Sequence, residues 1–442
     1  MTRERGAEEI LEEVSKKGVK FIQMQFVDIF GIVKNVEINA RLLDAAFSEG
    51  VWFDGSSIEG FVRIYESDML LKPDPSTFAI LPWSPEVARI ICDVYTTENK
   101  PFDGDPRYAL KKALARAKEM GYDYKIGPEL EFFLFHNNNC DAYPKPHDSA
   151  GYFDLAPYDM AATIRRQAMP FLEGMGLEVE ALHHEVAPGQ HEIDFKYGDA
   201  LYIADSVCTF KTVIKTVAKM NGLHASFMPK PIARINGSGM HTHQSLWKNG
   251  KNAFFGDKVY DLSEEALFFV AGQLHHAREM CGVVAPTVNS YKRLVPGYEA
   301  PVYICWAKTN RSALIRIPKY AAGKTSSARC ELRYPDPSAN PYLAFACMLN
   351  AGLDGMEKKM TPPQPVEENL YHFDDEKLKK LYVHTLPGSL GEAIMEMEKS
   401  TLVKKTLGDH IFEKLLEAQK QQWNDYRLEV TPWELNTYLP KI

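Results

Sequence analysis

The sequence predicts an α+β protein of two unequal domains, and three observations carry that prediction. The chain has 442 residues, more than a single hydrophobic core ordinarily organises. Its N-terminal stretch reads as one helix followed by strands and proline-punctuated turns, whereas the remainder alternates long helical patterns with short apolar strands. A content of 45% apolar and 25% charged residues is that of a globular chain. The boundary falls at Phe102-Asp-Gly-Asp105, giving domains over 1–103 and 104–442.

A first helix is expected over Glu8–Lys17, with Ile10, Leu11 and Val14 on one face and Gly18 as its stop. Val19–Val27 then alternates, with Ile22, Met24 and Phe26 on one side. Asp28-Ile-Phe-Gly31 turns the chain into a second strand, Ile32–Ile38. Pro73, Pro75, Pro82 and Pro85 break up the chain before the strand Ala88–Val94. In the larger domain Asp105 caps a helix that opens on Pro106, turns Leu110, Leu114 and Ala117 inward and stops at Gly121. A strand over Tyr124–Phe135 follows, then helices over about Ala200–Met220, Glu264–Cys281 and Pro341–Lys358, with strands between them. The C-terminal part is helical, and Ser389-Leu-Gly-Glu392 has capping-box spacing ahead of Leu390, Ala393, Ile394 and Met397.

Charge and composition exclude several functions. A net charge of −8 argues against a nucleic-acid surface, which needs a basic stripe to release counterions. The seven cysteines are dispersed without a C-x-x-C pair, the usage of reduced thiols in a cytoplasmic protein. The N-terminus has no apolar signal core, and charge or glycine interrupts each apolar run before the ~18 residues of a membrane span.

Four segments carry chemistry. Glu129 and Glu131 sit two apart in a strand, so both carboxylates share a face while Leu130, Phe132 and Leu134 face the core. Two like charges there call for a divalent cation, or for an exposed sheet edge. In His183-His-Glu185 through His191-Glu192, a central Pro-Gly turn folds Glu185 and Glu192 together, or the acids lie on a solvated loop. In Asn236-Gly-Ser-Gly-Met-His241-Thr-His243-Gln-Ser245, the glycines leave backbone N–H groups open to an anion, and both histidines are either ligands or structural. In Arg329-Cys-Glu331-Leu-Arg333, two guanidiniums flank a carboxylate as a fork for phosphate, with Arg293, Arg311 and Arg316 nearby; a surface ion-pair network is the alternative. Oxygen-rich ligation with little sulfur selects Mg²⁺ or Mn²⁺. Metal plus arginine suits phosphoryl transfer, and G-x-x-x-x-G-K-[ST] is missing, so the pattern is that of an ATP-using enzyme outside the P-loop class.

These segments resemble the type I glutamine synthetases over nearly the whole chain. The resemblance rests on Phe53-Asp-Gly-Ser-Ser57, Lys230-Pro-Ile through Ser245, Val295-Pro-Gly-Tyr-Glu-Ala-Pro301, Asn310-Arg-Ser-Ala313 and Arg333-Tyr-Pro-Asp-Pro-Ser-Ala-Asn-Pro-Tyr342, in that order. It implies a small β-grasp domain and a larger catalytic α/β domain. It also implies a glutamate–ammonia ligase that consumes ATP, and a cytoplasmic homo-dodecamer of two stacked hexamers with active sites between subunits.

By the same resemblance, Glu131, Glu185 and Glu192 would hold one Mg²⁺ (or Mn²⁺) and Glu129, His241 and Glu331 a second, with a third often accompanying ATP. Arg311 and Arg316 would stabilise the moving phosphoryl group. Arg293 and Arg333 would grip carboxylates of L-glutamate, and Asn236 and Gly237 its amino end. Asp54 of a neighbouring subunit would draw in ammonium and take its proton, and Glu299 would close the site. Glu180, Tyr197, His243, Ser245, Arg316 and Arg329 would form the ATP pocket.

The chain is short for the adenylylated subclass, which carries an extra insertion, and the run Glu367-Glu-Asn-Leu-Tyr371 differs from that subclass in its charged flank. The shorter, non-adenylylated alpha-type subclass is therefore the expectation, with Tyr371 unmodified and Arg63 at the position used for glutamine feedback. Small regulatory proteins are possible partners; nucleic acid and membrane are not expected. A γ-glutamyl-amine ligase and a silent scaffold are the rival readings. Asp54 in its filled motif speaks against the first, and the full set of metal-type side chains against the second.

Overall fold

The computed structural model describes residues 5–58, 60, 68–136, 144–297, 300–368, 370, 373, 377 and 384–442. The N-terminal helix α1 (Ala7–Lys17) buries Ile10 and Val14 and ends where Gly18 adopts φ 67. Strands β1 (Phe21–Val27) and β2 (Val33–Asn39) pair antiparallel from Val27↔Val33 outward. Their turn is held by the Asp28 carboxylate, which accepts from the N–H groups of Phe30 and Ile32 at 3.0 and 2.9 Å. Helix α2 (Leu43–Glu49) follows, then β3 (Val51–Asp54), β4 (Asp68–Pro73), β5 (Ala79–Ile80) and β6 (Val87–Tyr95). They complete a six-stranded sheet in the order β2-β1-β6-β4-β3, with β5 on β6. Ile22, Met24 and Phe26 point into its core, as the alternation predicts.

The larger unit opens with α3 (Pro106–Glu119), whose N-cap Asp105 accepts from Arg107 N–H. It continues through β7 (Asp123–His136), α4 (Ala162–Gly174), β8 (Val179–His184), β9 (Gln190–Phe195), β10 (Gly198–Asp199) and α5 (Ala200–Met220). Next come β11 (Leu223–Ser226), β12 (Met240–Lys248), β13 (Lys251–Asn252), α6 (Glu264–His275), α7 (Ala277–Val284) and α8 (Ser290–Arg293). Strands β14 (Tyr303–Ala307), β15 (Ala313–Arg316) and β16 (Cys330–Leu332) lead to α9 (Pro341–Glu357), α10 (Leu390–Glu398), α11 (Thr401–Leu428) and α12 (Pro432–Tyr438). Ten strands form one sheet with the path β14-β15-β16-β12-β7-β9-β8. Helix α9 is buried along almost its whole length, and it meets α6 at glycines. A Cβ on Gly352 would stand 2.1 Å from the Phe269 ring, so only glycine permits that approach.

Two details depart from the sequence reading. The helix expected over Glu264–Cys281 is two helices, because His276 leaves helical geometry (φ −92°, ψ 6°). Its imidazole is pinned between Glu279 at 3.1 Å and Asp354 at 2.9 Å. At α10, Ser389 accepts from Glu392 N–H, but the Glu392 carboxylate takes Gly388 N–H, so the reciprocal half of the box is missing. A complete capping box instead opens α12, between Thr431 and Glu434.

The two units are joined by buried polar contacts that run from the small one to helices of the large one. Arg107 reaches Asp74 and Asp93 of the small unit at 2.7 Å each and both oxygens of Asp205 on α5 at 3.0 and 2.9 Å. Asn340 caps α9 with Oδ1 while its Nδ2 donates to the carbonyls of Asp28 and Ile29 at 3.1 and 3.2 Å. Gly31 (φ 75°) allows that approach, since a Cβ there would lie 2.9 Å from Asn340 Cα. Truncating Arg107 leaves Asp74 and Asp205 without their cation, while Asp93 keeps Lys111 at 2.5 Å. R107A is expected to cost roughly 3–5 kcal/mol of stability in urea unfolding. K112A, at the exposed Lys112–Asp103 pair, should cost no more than about 1 kcal/mol.

Candidate active site

Three ranks of charged side chains cross one face of the large sheet. Arg316 of β15 stands opposite Glu331 of β16, which stands opposite His243 of β12. His241 of β12 faces Glu129 of β7, which faces Asp194 of β9. Glu131 of β7 faces Glu192 of β9, which faces His183 of β8. The period of two explains the arrangement: the intervening Leu130, Phe132 and Leu134 are fully or almost fully buried beneath it.

Electrostatics divide the face. Glu129 lies 2.7 Å from His243 Nε2 and 3.3 Å from His241 Nδ1. Burial pushes its carboxyl up, but the two imidazoles outweigh burial and hold it well below the ordinary range. Arg329 Nε donates to His243 Nδ1 at 3.2 Å, which leaves Nε2 to carry the proton toward Glu129. Glu131 accepts from Gln190 Nε2 at 2.8 Å and from Gly239 N–H at 3.0 Å. Burial, with Glu185 close by, still pushes it up to about 8. Burial and the charge of Glu131 raise Glu192 well above its usual value, and burial raises Asp194, whose Oδ1 is buried without a hydrogen-bond partner. On the other flank, Arg333 donates to Glu331 at 2.5 Å and Arg316 donates through Nε. Burial opposes ionisation of Glu331, but the charge of Arg333 prevails and holds it at about 2.

Two cavities meet along this face. The first, about 310 Å³, includes Glu129, Glu131, Glu185, Glu192, His241, Arg293, Arg311, Arg316 and Arg333 in its lining, with Asn236 and Gly237. The second, about 410 Å³, is lined by Glu180, Tyr197, His243, Ser245 and Arg329, among others. Glu129 and Asp194 line both. Arg316, grouped with the ATP residues from the sequence, stands in the first cavity and not the second. Asp54 ends β3 on the small sheet and lines neither; its carboxylate accepts from Ser56 N–H at 2.8 Å. Glu299, Arg63 and Tyr371 lie outside the described residues.

Several local expectations are revised. The Gly239 N–H binds the protein's own Glu131 and not a free anion. Gly237 is needed for packing, since a Cβ would lie 2.2 Å from Pro229 carbonyl oxygen. The fork on Glu331 is made by Arg333 and Arg316, with Arg329 engaged on His243. Arg293 donates to the carbonyls of Arg333 and Tyr334 at 3.0 and 2.9 Å, so it also braces the chain behind the cavity. Sequence reasoning missed Gln190, Asp194 and His183. The first two extend the alternation of Glu192 along β9, a signal that period two could have supplied.

The donor set suits hard cations. Glu129, His241 and Glu331 bring one donor atom each within 4.8 Å of one another, and so do His183, Glu185 and Glu192. Glu131 falls outside the second trio, in which His183 takes its place. A divalent cation beside Glu131 and Glu192, which are buried and pushed toward protonation, would hold both ionised, and the donors are oxygen and nitrogen with no sulfur among them.

Comparison with known proteins agrees with this architecture. The family of glutamine synthetase catalytic domains matches residues 103–438, and that of the glutamine synthetase β-grasp domains matches residues 18–97. The glutamine synthetases of Methanosarcina mazei and Thermus thermophilus are each 52% identical to this chain over 98% of it and 98% of their own length. That of Thermotoga maritima is 52% identical over 98% of this chain and 99% of its own. Among solved structures, the GmaS/ADP complex has a TM-score of 0.89 at 33% identity over 100% of both chains. The cryo-EM Plasmodium falciparum glutamine synthetase has a TM-score of 0.89 at 26% identity, over 98% of this chain and 99% of its own. The small sheet is a β-grasp domain, the large sheet with its helices is the catalytic domain, and with both matched in order along its length this chain belongs to the glutamine synthetase family.

Proposed function

We propose that the enzyme ligates ammonia to the γ-carboxylate of L-glutamate through γ-glutamyl phosphate, giving L-glutamine, ADP and phosphate. The observation that carries this reading is the pair of cavities sharing Glu129 and Asp194 as a common wall. A nucleotide in the second cavity would extend its terminal phosphate toward the arginines of the first. The relatives named glutamine synthetase and the ADP-bound structural neighbour support the same assignment.

The side chains suit both half-reactions. A carboxylate is a poor acyl donor because its leaving group is oxide, so phosphorylation must come first. Arg311 and Arg316 balance the charge of the phosphoryl group as it passes to glutamate. Arg293 and Arg333 orient the carboxylates, and Asn236 and Gly237 receive the amino end. Glu180, Tyr197, His243, Ser245 and Arg329 hold ATP. Two or three Mg²⁺ or Mn²⁺ ions, held by Glu131, Glu185 and Glu192 and by Glu129, His241 and Glu331, would supply charge neutralisation on the phosphates and orient the reacting oxygens. Asp54 of a neighbouring subunit draws in ammonium and takes a proton from it. Glu299 then closes the site against water, which would hydrolyse the acyl phosphate.

The assembly proposed with it is a homo-dodecamer of two hexameric rings. Asp54 lines neither of its own chain's two cavities, and Trp433, Leu435, Tyr438 and Leu439 near the C-terminus are left exposed, as an interface would have them. The six described cysteines are buried and unpaired, which suits the cytoplasm. No helix among the described residues is long and apolar enough to cross a membrane. Glutamine feedback through Arg63 is part of the proposal, and an R63A enzyme as sensitive to glutamine as its parent would remove it.

The decisive assay follows phosphate release from ATP with glutamate and Mg²⁺, with and without ammonium, and measures glutamine directly. Ammonium-dependent release matched by glutamine is expected; turnover with a larger amine only would overturn the substrate. Cation binding to the folded state alone should raise the midpoint of thermal unfolding, by about 2.7 kcal/mol of stabilisation at a hundredfold excess over Kd. Chelator should reverse the gain, and E331Q should diminish it. D54A and E331A are each expected to abolish most activity, whereas their co-assembly should restore roughly a quarter of it if each site draws on two subunits. Co-assembled variants that stay inactive would argue for sites within one chain.

A further inference from the structure

The run Glu367-Glu-Asn-Leu-Tyr371, which the functional reading leaves unused, begins with a residue that binds the loop behind Arg311. Strands β14 and β15 are parallel, with Tyr303 beside Ala313 and Ala307 beside Arg316. Parallel neighbours ordinarily need a crossover of about a dozen residues or more. Here residues 308–312 make the return alone. They must travel back along the length of β14, about 13 Å at ~3.3 Å per residue, and they end in a turn in which Ala313 N–H donates to the Asn310 carbonyl at 3.4 Å. Ahead of that turn the chain lies outside any ladder, so the N–H groups of Lys308 and Thr309 need partners from elsewhere.

Glu367 supplies them. One carboxylate oxygen accepts from Lys308 N–H at 2.7 Å and from the Tyr260 hydroxyl at 2.5 Å. The other accepts from Thr309 N–H at 2.9 Å and from its hydroxyl at 2.5 Å. Burial tends to raise this carboxyl, but the hydroxyls of Thr309 and Tyr260 and the two N–H groups hold it at about 2, so it is ionised throughout the neutral range. The next residue of the loop is tied to the same segment, since Asn310 Nδ2 donates to the carbonyls of Val366 and Glu368 at 2.9 and 2.6 Å. Asn310 Oδ1 then accepts from Ser312 N–H at 2.9 Å and from its hydroxyl at 2.6 Å. Arg311, between these anchored neighbours, is exposed at the rim of the first cavity and lines it.

We propose that Glu367 is a positioning residue for phosphoryl transfer, fixing through Lys308, Thr309 and Asn310 the turn that presents Arg311 to the cavity. It rests on the role proposed above for Arg311, and it makes segment 366–368 a structural input to catalysis. Glutamine at 367 would keep the length but turn an amide donor toward one pair of donors. The hydroxyl of that pair can rotate to accept; its backbone N–H cannot.

The test compares E367A, E367Q, R311A and the double variant R311A/E367A in the assembled enzyme. E367A is expected to lower kcat for glutamine formation by roughly 10- to 100-fold, the scale of an ~1 Å misplacement. KM for glutamate and ATP should stay within about twofold. E367Q should fall between E367A and the parent. In the R311A background, E367A should cost nothing further, because both changes remove one contribution. A loss that multiplies with that of R311A, or a rise in KM with kcat intact, would overturn the inference. Should E367A not fold, E367Q in both backgrounds yields the same comparison. A parent enzyme that makes no glutamine would overturn the underlying reading and this one with it, whereas an active parent with additive losses overturns this one alone.

Discussion

The structure depends on a constraint that is locally unfavourable, the packing of carboxylates side by side on antiparallel strands. Glu129 and Glu131 on β7 stand opposite Asp194 and Glu192 on β9, in a face largely withdrawn from water. Like charges in register repel, and burial removes the solvent that would screen them. The fold answers on both flanks. His241 and His243 from β12 hold Glu129 ionised, whereas Glu131 and Glu192 are driven toward protonation. A sheet with such a centre is poised for cations, and the surrounding arginines are poised for the anions that cations accompany.

The remaining architecture keeps that face in register. Apolar residues alternating with the acids anchor β7 in the core, and the helices beneath are packed closely enough to need glycine where α6 crosses α9. A one-residue slip of β7 would carry the carboxylates into the core and the leucines outward, so the register is strongly specified. The small domain is coupled to this frame by Arg107 and Asn340, each of which satisfies groups from both domains. Such contacts hold the small sheet, with Asp54 at the end of β3, at a defined place relative to the large one.

Loops without regular structure are controlled by the same rule, that buried or extended backbone donors must find acceptors. The Asp28 carboxylate closes the β1–β2 turn, Asn340 closes the start of α9, and Glu367 closes the return from β14 to β15. Each is a polar side chain taking at least two backbone N–H groups. Only the last of them stands directly behind a cavity-lining arginine.

Alternation and capping were legible in the chain alone. Period two placed Glu129 and Glu131 on one face, Asp105-Pro106 opened a helix, and Gly18 ended one; these are local effects that each segment carries with it. The same period, followed beyond Glu192, would have reached Gln190 and Asp194. Tertiary structure decided what local pattern cannot encode. His276 breaks a helix because Glu279 and Asp354 seize its ring, and Gly239 offers its N–H to Glu131 instead of to an anion. Arg316, and not Arg329, completes the fork on Glu331, because pairing of β15 with β16 sets them opposite each other. These outcomes depend on which strand lies beside which, and that follows from long-range packing, not from the spacing of residues along any one segment.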